Sequence, residues 1–169
     1  ASGCRVAKVD FGVCSHLGPL AAVLYGVQRV HNRFLECGSG DYSTQLFHTL
    51  CGEVVTADSN MDWLKKWIPF ESKYHRMALV KDWRETPLLD QKWDVAFVDN
   101  SPGEDRVAVI VRLKGNARYI VVHDWDADTP PSGGNYGWKT LEGRFKYVTV
   151  FDKWTPSTAV LSDEAEFKF

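Results

Sequence analysis

The sequence predicts an α/β fold, doubly wound around a mostly parallel sheet of seven strands and ending in an antiparallel C-terminal hairpin. Three observations predict it. Short apolar runs alternate with longer mixed segments along the chain, the pattern of strands joined by crossover helices. The runs are near-continuous and rich in β-branched residues, as in Trp93–Val98 and Ala117–Val122, which suits strands covered on both faces. The last two runs, Phe145–Phe151 and Thr158–Leu161, are separated by a short loop containing Pro156. No crossover helix fits there, so these two pair antiparallel.

In chain order, Leu17–Val30 carries apolar residues on a wide helical face, with Gly18–Pro19 at its start. Arg33–Cys37 is the first strand and ends in Gly-Ser-Gly. Tyr42–Leu50 is the helix that follows, with Ser43 or Thr44 available as its cap. Glu53–Ala57 is the second strand and stops at Asp58. Asn60–Trp67 begins on a capping-type residue and spaces Met61, Leu64 and Ile68 along one side. Arg76–Val80 is a weaker strand, ending before Lys81–Asp82. Trp93–Val98 is followed by a helical Gly103–Leu113 with Val107, Ile110 and Val111, and Ala117–Val122 by a short helical piece, Tyr136–Gly143. Pro130–Gly134 is the most loop-like stretch; it follows a strand at the sheet's carboxyl edge, where a mobile lid would sit.

With 169 residues the chain fits one domain, an N-terminal loop and helix over 1–32 and a sheet core over 33–169. Twenty Lys and Arg face 22 Asp and Glu, for a net charge of -2. That balance argues against a broad electrostatic surface for nucleic acid. No apolar run approaches the roughly 18 residues of a membrane span, so no membrane partner is expected. The sequence opens at Ala1 without the basic start and apolar stretch of a signal peptide. Cys4, Cys14, Cys37 and Cys51 are dispersed, with no C-x-x-C pair. They read as reduced thiols of a cytoplasmic protein, with a Cys4–Cys14 bridge as the alternative. Seven Trp and nine Phe point to an aromatic core or an aromatic pocket. Packing is the default for most of them, while Trp83 and Trp125 fall beside the strand-end crevice and could wall a planar ligand.

The chemistry concentrates at strand ends. Glu36-Cys37-Gly38-Ser39-Gly40 follows one strand and opens a helix, where glycines allow a tight turn and close approach of a ligand to the backbone, and a helix start favours anions. A dinucleotide fingerprint would need a third glycine where Ser43 stands, and no P-loop lysine follows. The segment instead resembles the E/D-x-G-x-G motif of class I S-adenosylmethionine-dependent methyltransferases, a Rossmann-like family. The resemblance runs from about Arg33 to the C-terminus. It implies S-adenosylmethionine as cofactor, with Gly38 and Gly40 in the cofactor turn and Glu36 near the cofactor's methionine portion. It further implies Asp58 on the ribose hydroxyls, Asp82 on the adenine amino group and Trp83 against the adenine ring.

Two further strand ends read Val98-Asp99-Asn100-Ser101-Pro102-Gly103, with Arg106 beyond, and Val122-His123-Asp124-Trp125-Asp126. They resemble small-molecule O-methyltransferases, whose catechol-type branch holds a divalent metal on two Asp and an Asn. Asp99 and Asp124 match the carboxylates, but Trp125 stands where the Asn would be. A metal would therefore need His123 or Asp126 as its third ligand. Oxygen ligands favour magnesium or calcium, and a His admits transition metals. Without a metal, His123 can take the proton of an acceptor hydroxyl, aided by a neighbouring carboxylate. The D-x-x-P-G-x-x-R segment resembles the acceptor-shaping segment of polysaccharide and small-molecule O-methyltransferases, and the absence of N-P-P-Y argues against amino methylation.

The expected function is methyl transfer to a small hydroxylated or phenolic acceptor. The alternative is a non-catalytic protein of the same fold that holds a planar molecule such as a pigment, motivated by the short chain and by Trp125; Cys37 could anchor such a ligand covalently. A nicotinamide oxidoreductase is disfavoured by Ser43 and by the C-terminal hairpin.

Overall fold

The computed structural model describes residues 9–10, 12–29, 31–126 and 136–169. Among them are nine strands: β1 (Val9–Asp10), β2 (Arg33–Cys37), β3 (Glu53–Asp58), β4 (His75–Leu79), β5 (Trp93–Val98), β6 (Ala117–Val122), β7 (Tyr147–Phe151), β8 (Trp154–Thr155) and β9 (Thr158–Ser162). Four α-helices accompany them: α1 (Leu17–Val27), α2 (Ser43–His48), α3 (Met61–Leu64) and α4 (Arg106–Leu113). Seven strands form one sheet in the order β4-β3-β2-β5-β6-β9-β7. The first five are mutually parallel. β9 inserts antiparallel between β6 and β7, so the predicted hairpin is present with its second strand on the inside. β1 and β8 form a separate small parallel pair, which the sequence reading did not contain.

Alternation along the central strands builds a core on each face. Phe34, Val54, Val95, Phe97 and Val121 pack under α1 with Leu20, Val23 and Leu24. Leu35, Val55, Ala96, Val98 and Ile120 pack on the other side with Val109, Ile110 and Leu113 of α4. Each buried Val, Leu, Ile or Phe side chain among them contributes about 1.5–3 kcal/mol relative to exposure. Two-sided burial is why these strands read as continuous apolar runs.

The helices are shorter than their apolar spacing predicts. α3 keeps four residues, capped by Asn60, whose side chain accepts from the Asp62 N–H. Pro69 then sets a 3₁₀ turn over Ile68–Phe70. Gly103–Asp105 is a 3₁₀ turn ahead of α4, and Trp138–Leu141 is a 3₁₀ segment. Ser43 and Thr44 do not cap α2. They are buried within its first turn, because both hydroxyls lie against the strand layer beneath. Cys14, Cys37 and Cys51 are free thiols. Cys4 and the Pro130–Gly134 stretch lie outside the described residues. No helix among the described residues is long and apolar enough to cross a membrane.

The order places β2 between β3 and β5. The chain winds outward through β3 and β4, then resumes on the other side at β5. A crevice forms at the carboxyl ends of β2 and β5, where the winding reverses and where ligands bind in such sheets.

Candidate functional site

The glycine turn is built by close packing. Gly38 has φ +95°, and a Cβ there would stand 2.5 Å from the Asp99 carbonyl oxygen. Only glycine lets the end of β2 approach β5 in this way. Below the turn lies Glu36, 0% exposed. Its Oε2 accepts from Thr44 Oγ1 at 2.9 Å and Thr56 Oγ1 at 2.6 Å, and Thr44 Oγ1 in turn accepts from the Gly40 N–H at 3.0 Å. Thr56 has spent its one proton on Glu36. His75 Nε2, 2.8 Å from Thr56 Oγ1, is therefore the donor there. His75 Nδ1 is left to accept from His48 Nδ1 at 3.1 Å. This directed chain runs from Gly40 to a cavity of about 490 Å³ at the opposite, amino edge of the sheet, walled by Phe47, His48, Tyr74 and His75 among others.

Burial raises Glu36 to about 8, against the hydrogen bonds from Ser43, Thr56 and Thr44. Burial and the neighbouring His48 lower His75 to about 4. The side chain of Glu36 thus supports the glycine turn from beneath, at the position the resemblance places near the cofactor's methionine portion. The same burial leaves Cys37 0% exposed and pushes its thiol far up, which disfavours the thiolate that a covalent anchor needs.

Above the turn is a cavity of about 400 Å³ lined by Gly38, Ser39, Asp58, Asn60, Trp63 and Asp99, together with Ser59, Ser101 and Pro102. Asp58 ends β3 facing it. Its Oδ2 accepts from the Ser39 N–H and hydroxyl, each at 2.7 Å, and its Oδ1 from the Asn60 N–H at 2.7 Å. A second cavity of about 480 Å³ adjoins it through shared Ser59 and Pro102, and is lined by Lys81, Asp82, Trp83, Arg84, Glu104 and Asp105. Asp82 is exposed at its rim. Trp83 is 2% exposed and donates its indole N–H to the Ser101 carbonyl at 3.0 Å, so it forms the floor of this cavity as part of the core.

The acceptor-side residues converge. His123 Nδ1 lies 3.3 Å from Asp99 Oδ1 and 3.4 Å from Asp124 Oδ1, and its Nε2 lies 3.1 Å from Ser15 Oγ. Arg106, 6% exposed, joins the two carboxylates, at 2.7 Å to Asp99 and 3.1 Å to Asp124, and donates to the Asn100 carbonyl at 2.9 Å. Its guanidinium lies 4.7 Å from the Tyr136 ring centroid. Asp124 has φ +55°, a left-handed conformation uncommon outside glycine though more accessible to Asp and Asn. Burial would raise Asp99, but His123 and Arg106 outweigh it and hold the carboxyl low. Burial would likewise lower His123, but Asp99 and Asp124 hold it above its ordinary value. Asp99 belongs both to the wall of the 400 Å³ cavity and to this cluster.

Ser15 and His16, which complete the cluster, were missed by sequence reasoning. They precede α1 and meet His123 only through the tertiary fold. His16 is 4% exposed, its ring 4.5 Å from that of His123 and 5.1 Å from that of Phe97. No motif surrounds it; the one signal is a polar residue at the entrance to an apolar helix. Asp126 is occupied elsewhere, accepting from the Ser157 N–H at 3.1 Å. Trp125 stacks on Trp138, with ring centroids 5.4 Å apart, so one of its faces is taken by packing.

No protein-family model and no curated protein matches the sequence. Solved structures match the fold. An rRNA methylase from Streptococcus thermophilus aligns with a TM-score of 0.67 at 8% identity, over 89% of this chain and 98% of that one. The MycE methyltransferase of the mycinamycin biosynthetic pathway, in complex with Mg and SAH, aligns with a TM-score of 0.66 at 16% identity, over 94% of this chain and 53% of its own. The present chain therefore spans about half of that protein's length. The bifunctional kinase-methyltransferase WbdD aligns with a TM-score of 0.62 at 12% identity, over 94% of this chain and 44% of its own. The fold is the Rossmann-like fold of S-adenosylmethionine-dependent methyltransferases.

Proposed function

We propose that this chain transfers a methyl group from S-adenosylmethionine to the oxygen of a small hydroxylated or phenolic acceptor. The observation that carries the reading is the pair of adjoining cavities at the carboxyl edge, with Asp99 linking their wall to the His123 cluster. The residues fit the cofactor. A carboxylate offers about four acceptor positions; Asp58 uses three on Ser39 and Asn60 and keeps one for a ribose hydroxyl. Asp82 and the Trp83 floor would hold an adenine, the exposed carboxylate taking its amino group and the indole supporting its ring. Gly38 and Gly40 hold the backbone low so that the methionine portion can lie across the turn.

When bound, the cofactor supplies a sulfonium methyl: the acceptor oxygen's lone pair forms the new C–O bond as the C–S bond breaks and its electron pair returns to sulfur. The chain's own part is placement and proton uptake. Holding the two reactants in contact supplies much of the catalysis in such a transfer. The acceptor hydroxyl would lie against Asp99, and the Asp99–His123–Asp124 cluster would hold the proton it gives up. Arg106 fixes both carboxylates in place and lines the acceptor side. The partner so implied is a small molecule.

The test is incubation with methyl-labelled S-adenosylmethionine and a panel of phenols, catechols and sugars, with products identified by mass. Label on an acceptor oxygen is expected, and His123→Ala should lower the rate by about 100-fold or more. Cofactor binding with no transfer to any oxygen acceptor would overturn the catalytic reading in favour of a ligand-holding protein.

A further inference from the structure

We infer that His16, Asp99 and His123 form a site for a divalent transition metal of the zinc type, set into the inner end of the cofactor crevice. One ligand atom from each of these residues lies within 4.8 Å of the other two. His16 is 4% exposed, and neither ring nitrogen has a hydrogen-bond partner. Leaving such a group unsatisfied costs about 1–3 kcal/mol, a cost that a bound cation removes. His123 Nδ1 is likewise buried and faces Asp99 Oδ1 at 3.3 Å. Two ligands of one tetrahedral zinc, each bonded at about 2.0–2.1 Å, lie roughly 3.3 Å apart. The separation is therefore that of neighbouring ligands around one ion.

The surroundings are those of a ligand set. A metal-bound histidine usually donates its other ring N–H to a fixed partner, and a metal-bound carboxylate is itself hydrogen-bonded. Ser15 Oγ stands at 3.1 Å from His123 Nε2, and Arg106 stands at 2.7 Å from Asp99 Oδ1. With the Nε2 proton given to Ser15, Nδ1 faces two carboxylate oxygens, a position that a metal ion would take in place of a ring proton. Arg106 offsets one of the two carboxylates, which leaves one negative charge for the ion. Two imidazoles and one carboxylate favour zinc, cobalt or iron over magnesium or calcium. This site differs from the sequence expectation, since His16 replaces Asp124 as the third ligand. Asp124 stays outside the set, bound by Arg106.

The experiment uses the full chain stripped with chelator and titrated with Co2+ while the visible d–d absorption is read. One Co2+ per chain with a d–d band, displaced by Zn2+, is expected. The band should be lost in His123→Gln and in His16→Phe, a replacement that keeps an aromatic ring in the slot beside Phe97. Ser15→Ala should weaken binding by about 10–100-fold. No stoichiometric band in the wild-type chain overturns the site, and so does a band that survives either histidine replacement. A parallel SAH titration separates this inference from the methyl-transfer reading: Co2+ binding without SAH binding keeps the metal and removes the cofactor, and the reverse result does the opposite.

Discussion

Glu36 shows how the acid of a motif can brace its own turn. It sits at the acidic position ahead of the glycines, yet its oxygen is spent on Thr44 and Thr56 below the turn. The folded chain keeps its proton up to about 8, whereas the ordinary carboxyl value is 4.5. Between those values the folded state holds more protons than the unfolded one, so stability falls as pH rises through the window. Below the ordinary histidine value of 6.5 the lowered His75 and His16 act in the opposite direction, so the loss is read in thermal melts from pH 7 to pH 8, where it is on the order of 1 kcal/mol. Glu36→Gln, which mimics the protonated acid, should flatten the slope; an unchanged slope would remove Glu36 as its source. Gly38→Ala is expected to destabilise by roughly 2 kcal/mol or more by chemical denaturation, since both its positive φ and the Asp99 carbonyl oppose a methyl group. The sequence made Gly38, Asp58, Asp99, His123 and Asp124 legible because each ends a strand, and strand ends meet at one edge of a parallel sheet. Ser15 and His16 were not legible. Ser15 and His123 are 108 positions apart, and only the docking of α1 brings them together.

Among the elements, the central strands read true and the helices read long. Arg33–Cys37, Trp93–Val98 and Ala117–Val122 were predicted with their observed bounds, because burial on both faces leaves a continuous apolar run. The edge strand β4 was displaced by one residue, and β7 begins two residues later than predicted, since edge positions carry weaker patterns. Helical spacing overread both α3, where of Met61, Leu64 and Ile68 only Leu64 is buried, and the Trp138–Leu141 segment, where a 3₁₀ turn buries Trp138 and Leu141. α1 matters beyond packing because it positions Ser15 and His16. Leu20 and Leu24 are fully buried in its contact with the sheet. Leu24→Ala should cost about 2–5 kcal/mol of stability, measurable by urea denaturation. A cost below 1 kcal/mol would mean that α1 is not docked as described.

At the scale of the whole molecule, alternation of strand and helix and the short link before the last strand were enough to reach the fold. The place of β9 inside β7 was not encoded in any local pattern; it follows from β9 pairing with both neighbours. The molecule joins a strand-end crevice to a cluster of two histidines, two carboxylates and an arginine. That the crevice holds the methyl donor is read directly by calorimetric titration with SAH. One saturable site per chain is predicted, weakened about 10–100-fold in Asp58→Ala, as loss of hydrogen bonds to a charged group would require. Absence of any binding heat at millimolar SAH, or an affinity unchanged by Asp58→Ala, would contradict it.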